Sequence, residues 1–285
     1  MTMFRRAAIL GTGLMGGSFA LALRKHFPET QLIGWDRADV LDRAAAREVI
    51  DEGFSGLADA VRGADLIYIA LPIGAALEHL PEIAQHADAA ALVTDACSTK
   101  NVICRAAEKF FHGGAMFLGG HPMSGKAVKG VENADAEIFV GAKYVLIGDE
   151  HHGDARAKEF AALISALGAQ PVWMDAETHD WAVGIVSHLP QLVSVALAQV
   201  IRDETDETGL PLSVAGPGLR DTVRLASSPY AIWRDICLTN PENLSRALDR
   251  VAQAIDHIRT RLQSNDLRES FEAANELYRT LQELK

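Results

Sequence analysis

Positive charge is in short supply: 27 lysines and arginines stand against 38 aspartates and glutamates in 285 residues, a formal net charge of -11. A broad nucleic-acid surface needs a cationic face to neutralise phosphates, so that class of partner is excluded, and an anionic small molecule would need a local cluster of cations. Cysteine is scarcer still. Cys97, Cys104 and Cys237 show no CxxC spacing and no histidine-rich tract beside them, which excludes a disulfide framework and a zinc site and fits a reducing cytoplasm. A clean membrane span is also missing. The most apolar long stretch, Trp181 to Ile201, is broken by Ser187, His188, Pro190, Gln191, Ser194 and Gln199, so it reads as a buried helix and not as a lipid-facing one. The start, with Arg5 and Arg6 ahead of an apolar run and no small-residue cleavage site, reads as structure and not as a signal. There is no internal repeat or low-complexity linker, and no lysine at all between Glu177 and Glu283.

What is present is ordinary globular material, 48% hydrophobic and 23% charged, in a length that suggests two domains. Through the first half, short apolar runs alternate with helical patterns. The candidate strands are Ala7–Leu10, Gln31–Trp35, Leu66–Leu71, Ala91–Asp95, Met116–Gly119, Tyr144–Ile147 and Pro171–Met174. Strand and helix in alternation predict an α/β domain with a largely parallel sheet covered on both faces. After Asp175 strand signals stop and the chain reads as helix after helix. The expected boundary is residue 176, with residues 1–176 forming the α/β domain and 177–285 an all-helical one.

The helical half carries its own pattern. Leu244, Leu248, Val251, Ile255, Ile258 and Leu262 recur at spacings of three and four and draw one apolar stripe, with Asn240 as the expected N-cap and Pro241 at the first helical position. Asp266 and Glu269 resemble a capping box for a last helix bearing Leu267, Phe271, Leu277 and Leu281. Such stripes serve either as intramolecular core or as the face that meets a second copy, and the latter makes a homodimer the expected assembly.

Gly11-Thr12-Gly13-Leu14-Met15-Gly16 follows the first strand directly and opens a helix. Gly11 permits the tight turn, Gly13 lets the backbone approach a pyrophosphate, and Gly16 allows close helix-to-strand packing, while the helix N-terminus offers free N–H groups. A second strand ends at Trp35-Asp36, twenty residues past Gly16, where a carboxylate accepts hydrogen bonds from ribose hydroxyls. Strand, loop, helix, strand and acid in register define a Rossmann-type dinucleotide-binding domain. Asp36 repels a 2′-phosphate and favours NAD over NADP, although Arg37 beside it offers a phosphate a partner.

The chemistry must come from residues at the carboxyl ends of later strands. Thr94-Asp95-Ala96-Cys97-Ser98-Thr99-Lys100 and Gly119-Gly120-His121-Pro122-Met123-Ser124-Gly125 both sit there and are expected to open into the cofactor crevice. Removing a hydroxyl proton while hydride departs calls for a base such as neutral imidazole, and His121 is the candidate. Ser98 is either its hydrogen-bonding partner or a helix N-cap. In the helical half, His188 followed by Pro190 is either a core histidine satisfied by a carbonyl or part of a kinked helix facing a cleft. Arg220, Asp221 and Arg224, with Trp233-Arg234-Asp235 beyond them, are either a salt-bridged surface or the anion-binding cluster that this acidic chain requires.

Together GTGLMGGS, DACSTK, GGHPMSG, HDWAVGIVSHLPQ, GLRDTVR and IWRDI resemble, in order and spacing, the prephenate/arogenate dehydrogenase family of tyrosine biosynthesis. The resemblance covers nearly the whole chain. It implies NAD(P)-dependent oxidative decarboxylation, with His121 as catalytic base and Ser98 as its partner. It also implies His188 as a substrate-site histidine and Arg224 as the ligand of a substrate carboxylate, with Asp221 and Trp233 shaping the surroundings of Arg224. The implied second domain is a helical dimerisation and substrate domain. After HPMSG the chain carries Lys126-Ala127 where many members carry Thr-Glu or Pro-Asp-Ser; Ser124 and Lys126 then border the substrate. Hydroxyacid dehydrogenases of similar architecture place a catalytic lysine on a helix of the second domain, which this lysine-free half cannot supply. A protein that binds NAD without turnover is the remaining alternative, and it predicts no dependence on His121 or Arg224.

Overall fold

The computed structural model describes residues 4–126, 128–150, 154–264 and 266–283. Ala127, one of the two residues at which the sequence departs from the family pattern, lies outside them. In the first half β1 (Arg6–Leu10), β2 (Gln31–Trp35), β3 (Glu52–Phe54), β4 (Leu66–Ile69), β5 (Leu92–Asp95) and β6 (Met116–Leu118) form one parallel sheet in the order β3-β2-β1-β4-β5-β6. Between them run α1 (Leu14–His26), α2 (Ala38–Ala46), α3 (Leu57–Val61), α4 (Ile73–His86) and α5 (Asn101–Ala107). Successive strand residues face opposite sides, and the sequence obeys that rule. Ala7, Ile9, Leu66 and Tyr68 enter one core with Phe19 of α1, whose ring stacks on Tyr68 at 3.8 Å; Ala8, Leu10, Ile67 and Ile69 enter the other with Ile73 and Leu80 of α4. Both faces are dry, which is why these strands read as continuous apolar runs. The strand order reverses between β1 and β4, and the crevice that this opens at their carboxyl ends is where dinucleotides bind.

The rest of this half departs from the single sheet predicted. A second sheet holds β7 (Gly120–Pro122), β8 (Lys143–Ile147) and β9 (Gln170–Met174), with β7 antiparallel to β8 and α6 (Ala155–Ala166) between β8 and β9. Two of the nine strands among the described residues escaped the sequence reading, β3 and β7. Both are three residues long and rich in glycine or proline. Pro122 is compatible with β7 only because β7 is an edge strand. The consequence is functional: His121 lies on a strand, paired with Val145, and not in a loop.

From Ala176 the described chain is helical: α7 (Ala176–Val183), α8 (Leu189–Asp203), α9 (Leu210–Ser213), α10 (Pro217–Val223), α11 (Tyr230–Thr239), α12 (Pro241–Arg261) and α13 (Arg268–Glu283). Asp175 caps α7 by accepting the Thr178 N–H at 2.8 Å. A π-turn at Gly184–His188 joins α7 to α8. By length and composition the run Ala176–Asp203 is able to cross a membrane, but its polar interruptions turn inward: His188, Gln191 and Ser194 are buried. The expectation of a buried helix holds for that face alone, since Val186 is 68% exposed and Trp181 and Val200 are open as well. The stripes of α12 and α13 behave likewise. Leu244 is buried, whereas Ile255, Leu262, Phe271, Leu277 and Leu281 are exposed, so the chain's own core does not cover them. Periodicity fixes which residues share a face, not which chain covers it. Asn240 precedes α12 as expected, but its side chain makes no cap bond; it donates to the Asp180 carbonyl at 2.8 Å and accepts from Asn243.

Candidate active site

The glycine loop is built as its spacing requires. Gly11 sits at φ +91°, and a Cβ there would lie 2.5 Å from the Ala70 carbonyl oxygen. A Cβ on Gly16 would fall 1.9 Å from the Gly11 carbonyl oxygen, so α1 rests directly on the turn. Around the Cβ position of Gly13 there is nothing within 4 Å, an open approach of the kind a pyrophosphate needs. Thr12 is buried and donates its backbone N–H to Asp36 Oδ2 at 2.8 Å, while Asp36 Oδ1 accepts the Arg37 N–H at 2.8 Å. The Arg37 side chain lies in solvent near Asp39, 3.6 Å away. Asp36 therefore stands at the end of β2, tied to the glycine loop and placed for an adenosine ribose.

Gly13, Leu14 and Met15 face Ala70–Ile73, Ala96–Ser98, Ser124–Lys126 and Ala231–Ile236 across a cleft of about 440 Å³. This brings six of the predicted residues to one place, Gly13, Leu14, Met15, Ser98, Ser124 and Lys126. Ser98 does not cap α5, whose first residue follows Lys100, so the alternative role considered for it is absent. Ser124 Oγ is buried without a partner, a hydroxyl available to a ligand. Lys126 lines the cleft but spends its charge on Asp135 at 2.8 Å. Only the middle of the first segment opens into the crevice: Thr94, Asp95, Thr99 and Lys100 are fully buried.

Those buried residues hold β7 in place. Lys100 and Asp95 form an ion pair, Lys100 Nζ donates to the Gly120 carbonyl at 2.7 Å, and Asp95 Oδ1 accepts the Gly120 N–H at 3.1 Å. Both polar groups of the residue preceding His121 are thereby fixed. His121 is itself buried, and its Nδ1 lies 2.8 Å from Nε2 of His179. Nδ1 of His179 in turn lies 2.8 Å from Asp180 Oδ1. Asp180 accepts the backbone N–H groups of Lys100 at 2.7 Å and Asn101 at 2.9 Å. Burial pushes the His121 pKa well below its usual value, and nearby positive charge on His179, Lys100 and His188 adds to the shift. His121 is therefore neutral, the form a base must have.

His179 and Asp180 were not singled out from the sequence. The available signal was a histidine and an acid adjacent in the first turns of a helix capped by Asp175, but only the fold shows that both are buried while Trp181 is exposed.

His188 is buried with Nδ1 unpartnered, so the carbonyl-satisfied core histidine is not what the structure contains. Its ring meets Trp233 edge to face at 5.8 Å, and burial lowers its pKa to about 4. Arg224 lies one residue beyond α10 in a short turn pinned to α8: Gln191 Nε2 donates to the Leu225 carbonyl at 2.8 Å and Ser194 Oγ to the Thr222 carbonyl at 2.9 Å. Among the described residues no salt bridge involves Arg220, Asp221 or Arg224, which removes the salt-bridged-surface alternative. Asp235, paired with Arg234, accepts the Gly74 N–H at 2.9 Å and ties α11 to the start of α4. His188 and Arg224 lie outside the cleft lined by the glycine loop, on the side contributed by the helical half.

A cradle for a dinucleotide with a neutral, buried histidine beside it is what a nicotinamide-dependent dehydrogenase of the Rossmann class requires, and the chain is of that class. Comparison with known proteins narrows it. Residues 19–172 match the model for the prephenate dehydrogenase nucleotide-binding domain and residues 175–283 that for the prephenate dehydrogenase dimerization domain. Prephenate dehydrogenase of Lactococcus lactis subsp. cremoris is 34% identical over 264 residues, 92% of this chain and 72% of that protein. The crystal structure of A. aeolicus prephenate dehydrogenase in complex with hydroxyphenyl propionate and NAD+ superposes with a TM-score of 0.89 at 27% identity, covering 99% of this chain and 98% of that one. Synechocystis arogenate dehydrogenase gives 0.76 at 30% identity, covering 98% and 96%. The chain belongs to the prephenate dehydrogenase family.

Proposed function

We propose that this enzyme catalyses the NAD-dependent oxidative decarboxylation of prephenate, arogenate or both, giving 4-hydroxyphenylpyruvate or tyrosine. The observation that carries the reading is a buried histidine held neutral beside a nicotinamide cleft in a member of this family. Gly11, Thr12, Gly13, Leu14, Met15 and Gly16 hold the pyrophosphate, and Asp36 binds the adenosine ribose and selects NAD, with Arg37 beside it. When bound, the nicotinamide supplies the acceptor for the hydride that leaves the carbinol carbon. His121 accepts the proton of the ring hydroxyl and Ser98 orients that oxygen. Arg224 binds a substrate carboxylate, His188 and Ser124 border the ring, and Lys126 lies at the rim. Loss of the ring carboxylate as carbon dioxide leaves a phenolate, and the proton held on His121 returns to its oxygen. The atoms then balance with no net proton released, and aromatisation makes the step effectively irreversible.

The open faces of α12, α13 and the Ala176–Asp203 helix are assigned to a homodimer. Three cysteines that are all free fit a cytoplasmic enzyme. The test is reduced-cofactor absorbance with prephenate and with arogenate, each with NAD and NADP. Turnover with either substrate is expected, faster with NAD. Silence in all four mixtures from protein that still binds NAD would overturn the assignment.

A further inference from the structure

The helical half supplies a part of the catalytic base that the proposed reaction does not by itself name. Asp180 is held at three points: Oδ1 receives the Lys100 N–H, Oδ2 receives the Asn101 N–H, and its own carbonyl receives Asn240 Nδ2 at 2.8 Å. It has no freedom to turn. A carboxylate only accepts hydrogen bonds, so the His179 Nδ1 that lies 2.8 Å from Oδ1 carries the proton. A neutral imidazole has one N–H, which leaves Nε2 of His179 as a lone pair facing Nδ1 of His121 at 2.8 Å. Nδ1 of His121 must then donate, and its remaining nitrogen, Nε2, is the basic one. The opposite arrangement sets a lone pair against a carboxylate, and another proton arrangement sets N–H against N–H, in surroundings where His179 and Asp180 have no contact with water that would relieve them.

We propose that His179 and Asp180 are positioning residues that hold His121 as the Nδ1–H tautomer, leaving Nε2 free to take and return the substrate proton. This rests on the reading of His121 as the base. The pair acts twice. Before the reaction it removes the wrong tautomer and fixes the ring plane, with the two imidazoles 5.1 Å apart at 70°. While His121 carries the proton, the carboxylate behind His179 compensates the imidazolium that burial disfavours, without itself becoming protonated. Both residues lie on α7, whereas His121 lies on β7, so the tautomer of the base depends on the docking of the helical half against the start of α5. That docking is reinforced by the Thr99 and Thr239 hydroxyls at 2.7 Å.

The primary test is nitrogen-15 NMR of histidine-labelled full-length protein, with assignments from the His121→Asn and His179→Gln variants. The expected result is His121 as the Nδ1–H tautomer at neutral pH. An Nε2–H tautomer in the wild type would overturn the proposal, whatever the variants do. Kinetics supply the second arm. His179→Leu is expected to lower kcat about 100-fold or more, with KM within a few-fold and NAD affinity unchanged. His179→Gln, which keeps an acceptor for His121 and a donor for Asp180, is expected to recover most of that loss. A purely structural role predicts that folded His179→Leu protein turns over like the wild type with an unaltered pH profile, and that outcome also overturns the proposal. Full turnover by His121→Asn would instead overturn the base assignment, and the tautomer measurement separates that failure from this one.

Discussion

Lys100 and Asp95 form an ion pair with no exposed surface, and the peptide groups of Gly120 are bonded to it on both sides. The pair acts as a clamp on the backbone that carries His121. Removing one partner of a buried pair strands the other, at a typical cost of about 3–5 kcal/mol. Lys100→Met is therefore expected to be strongly destabilised in urea unfolding, and to lose turnover in whatever fraction stays folded. Stability within 1 kcal/mol of the wild type would mean that the clamp does not matter.

Asp36 is expected to decide the cofactor. Asp36→Ser removes the charge that repels a 2′-phosphate and retains an acceptor for the Thr12 N–H, with Arg37 close by. The ratio of kcat/KM for NADP to that for NAD should rise at least about tenfold, in line with the loss of roughly 1–2 kcal/mol of discrimination. An unchanged ratio would move cofactor selection elsewhere.

Arg224 is expected to act through binding. Arg224→Ala should raise KM for substrate roughly 10- to 100-fold, the range of a charge-assisted hydrogen bond of about 1.5–3 kcal/mol, with a smaller effect on kcat and none on NAD affinity. A change in kcat alone would assign the residue to the chemical step.

The buried histidines make stability depend on acid. Burial lowers the pKa of His188 to about 4 and that of His121 in the same direction, whereas an unfolded chain protonates histidine near 6.5. Between those values the unfolded state binds more protons, so stability is complete above about pH 6.5 and falls as the pH drops toward 4. His188 alone accounts for about 3 kcal/mol across that window. Urea midpoints at pH 7 and pH 5 should differ less in His188→Gln than in the wild type. An equal difference in both proteins would remove His188 as a source.

The apolar stripe of the last two helices should hold two copies together. Ile255 and Leu277 are 59% and 61% exposed in the single chain. Light scattering should give twice the chain mass for the wild type and a shift toward monomer for the Ile255→Asp, Leu277→Asp double variant. A wild-type monomer would leave these faces without the assigned occupant.

Much of the fold was legible because it follows from period and punctuation. The glycine loop, the carboxylate at the end of β2, the long parallel strands and the change to helices near Asp175 each leave a local mark. His121, Ser98 and Ser124 were findable because they sit at carboxyl ends of strands or just past them. The short strands β3 and β7 left none, since three residues containing glycine or proline carry no alternation. His179 and Asp180 stayed hidden for a different reason. Their significance is a burial and a pairing between residues 58 positions apart, and neither is a property of the local sequence. The exposed stripes show the converse limit, because an apolar face looks the same whether its own core or another subunit covers it.

The two halves contribute different things to one site, and this partitions the effect of mutation. Drift in the glycine loop or β2 will be felt as a change in cofactor affinity. Drift in α7, α8 or the turn after α10 will be felt as a change in which ring is accepted and how fast it reacts, with the cofactor held as before. Substrate preference can thus diversify among relatives while the nucleotide half is left alone, as long as the contact between α7 and the start of α5 is conserved.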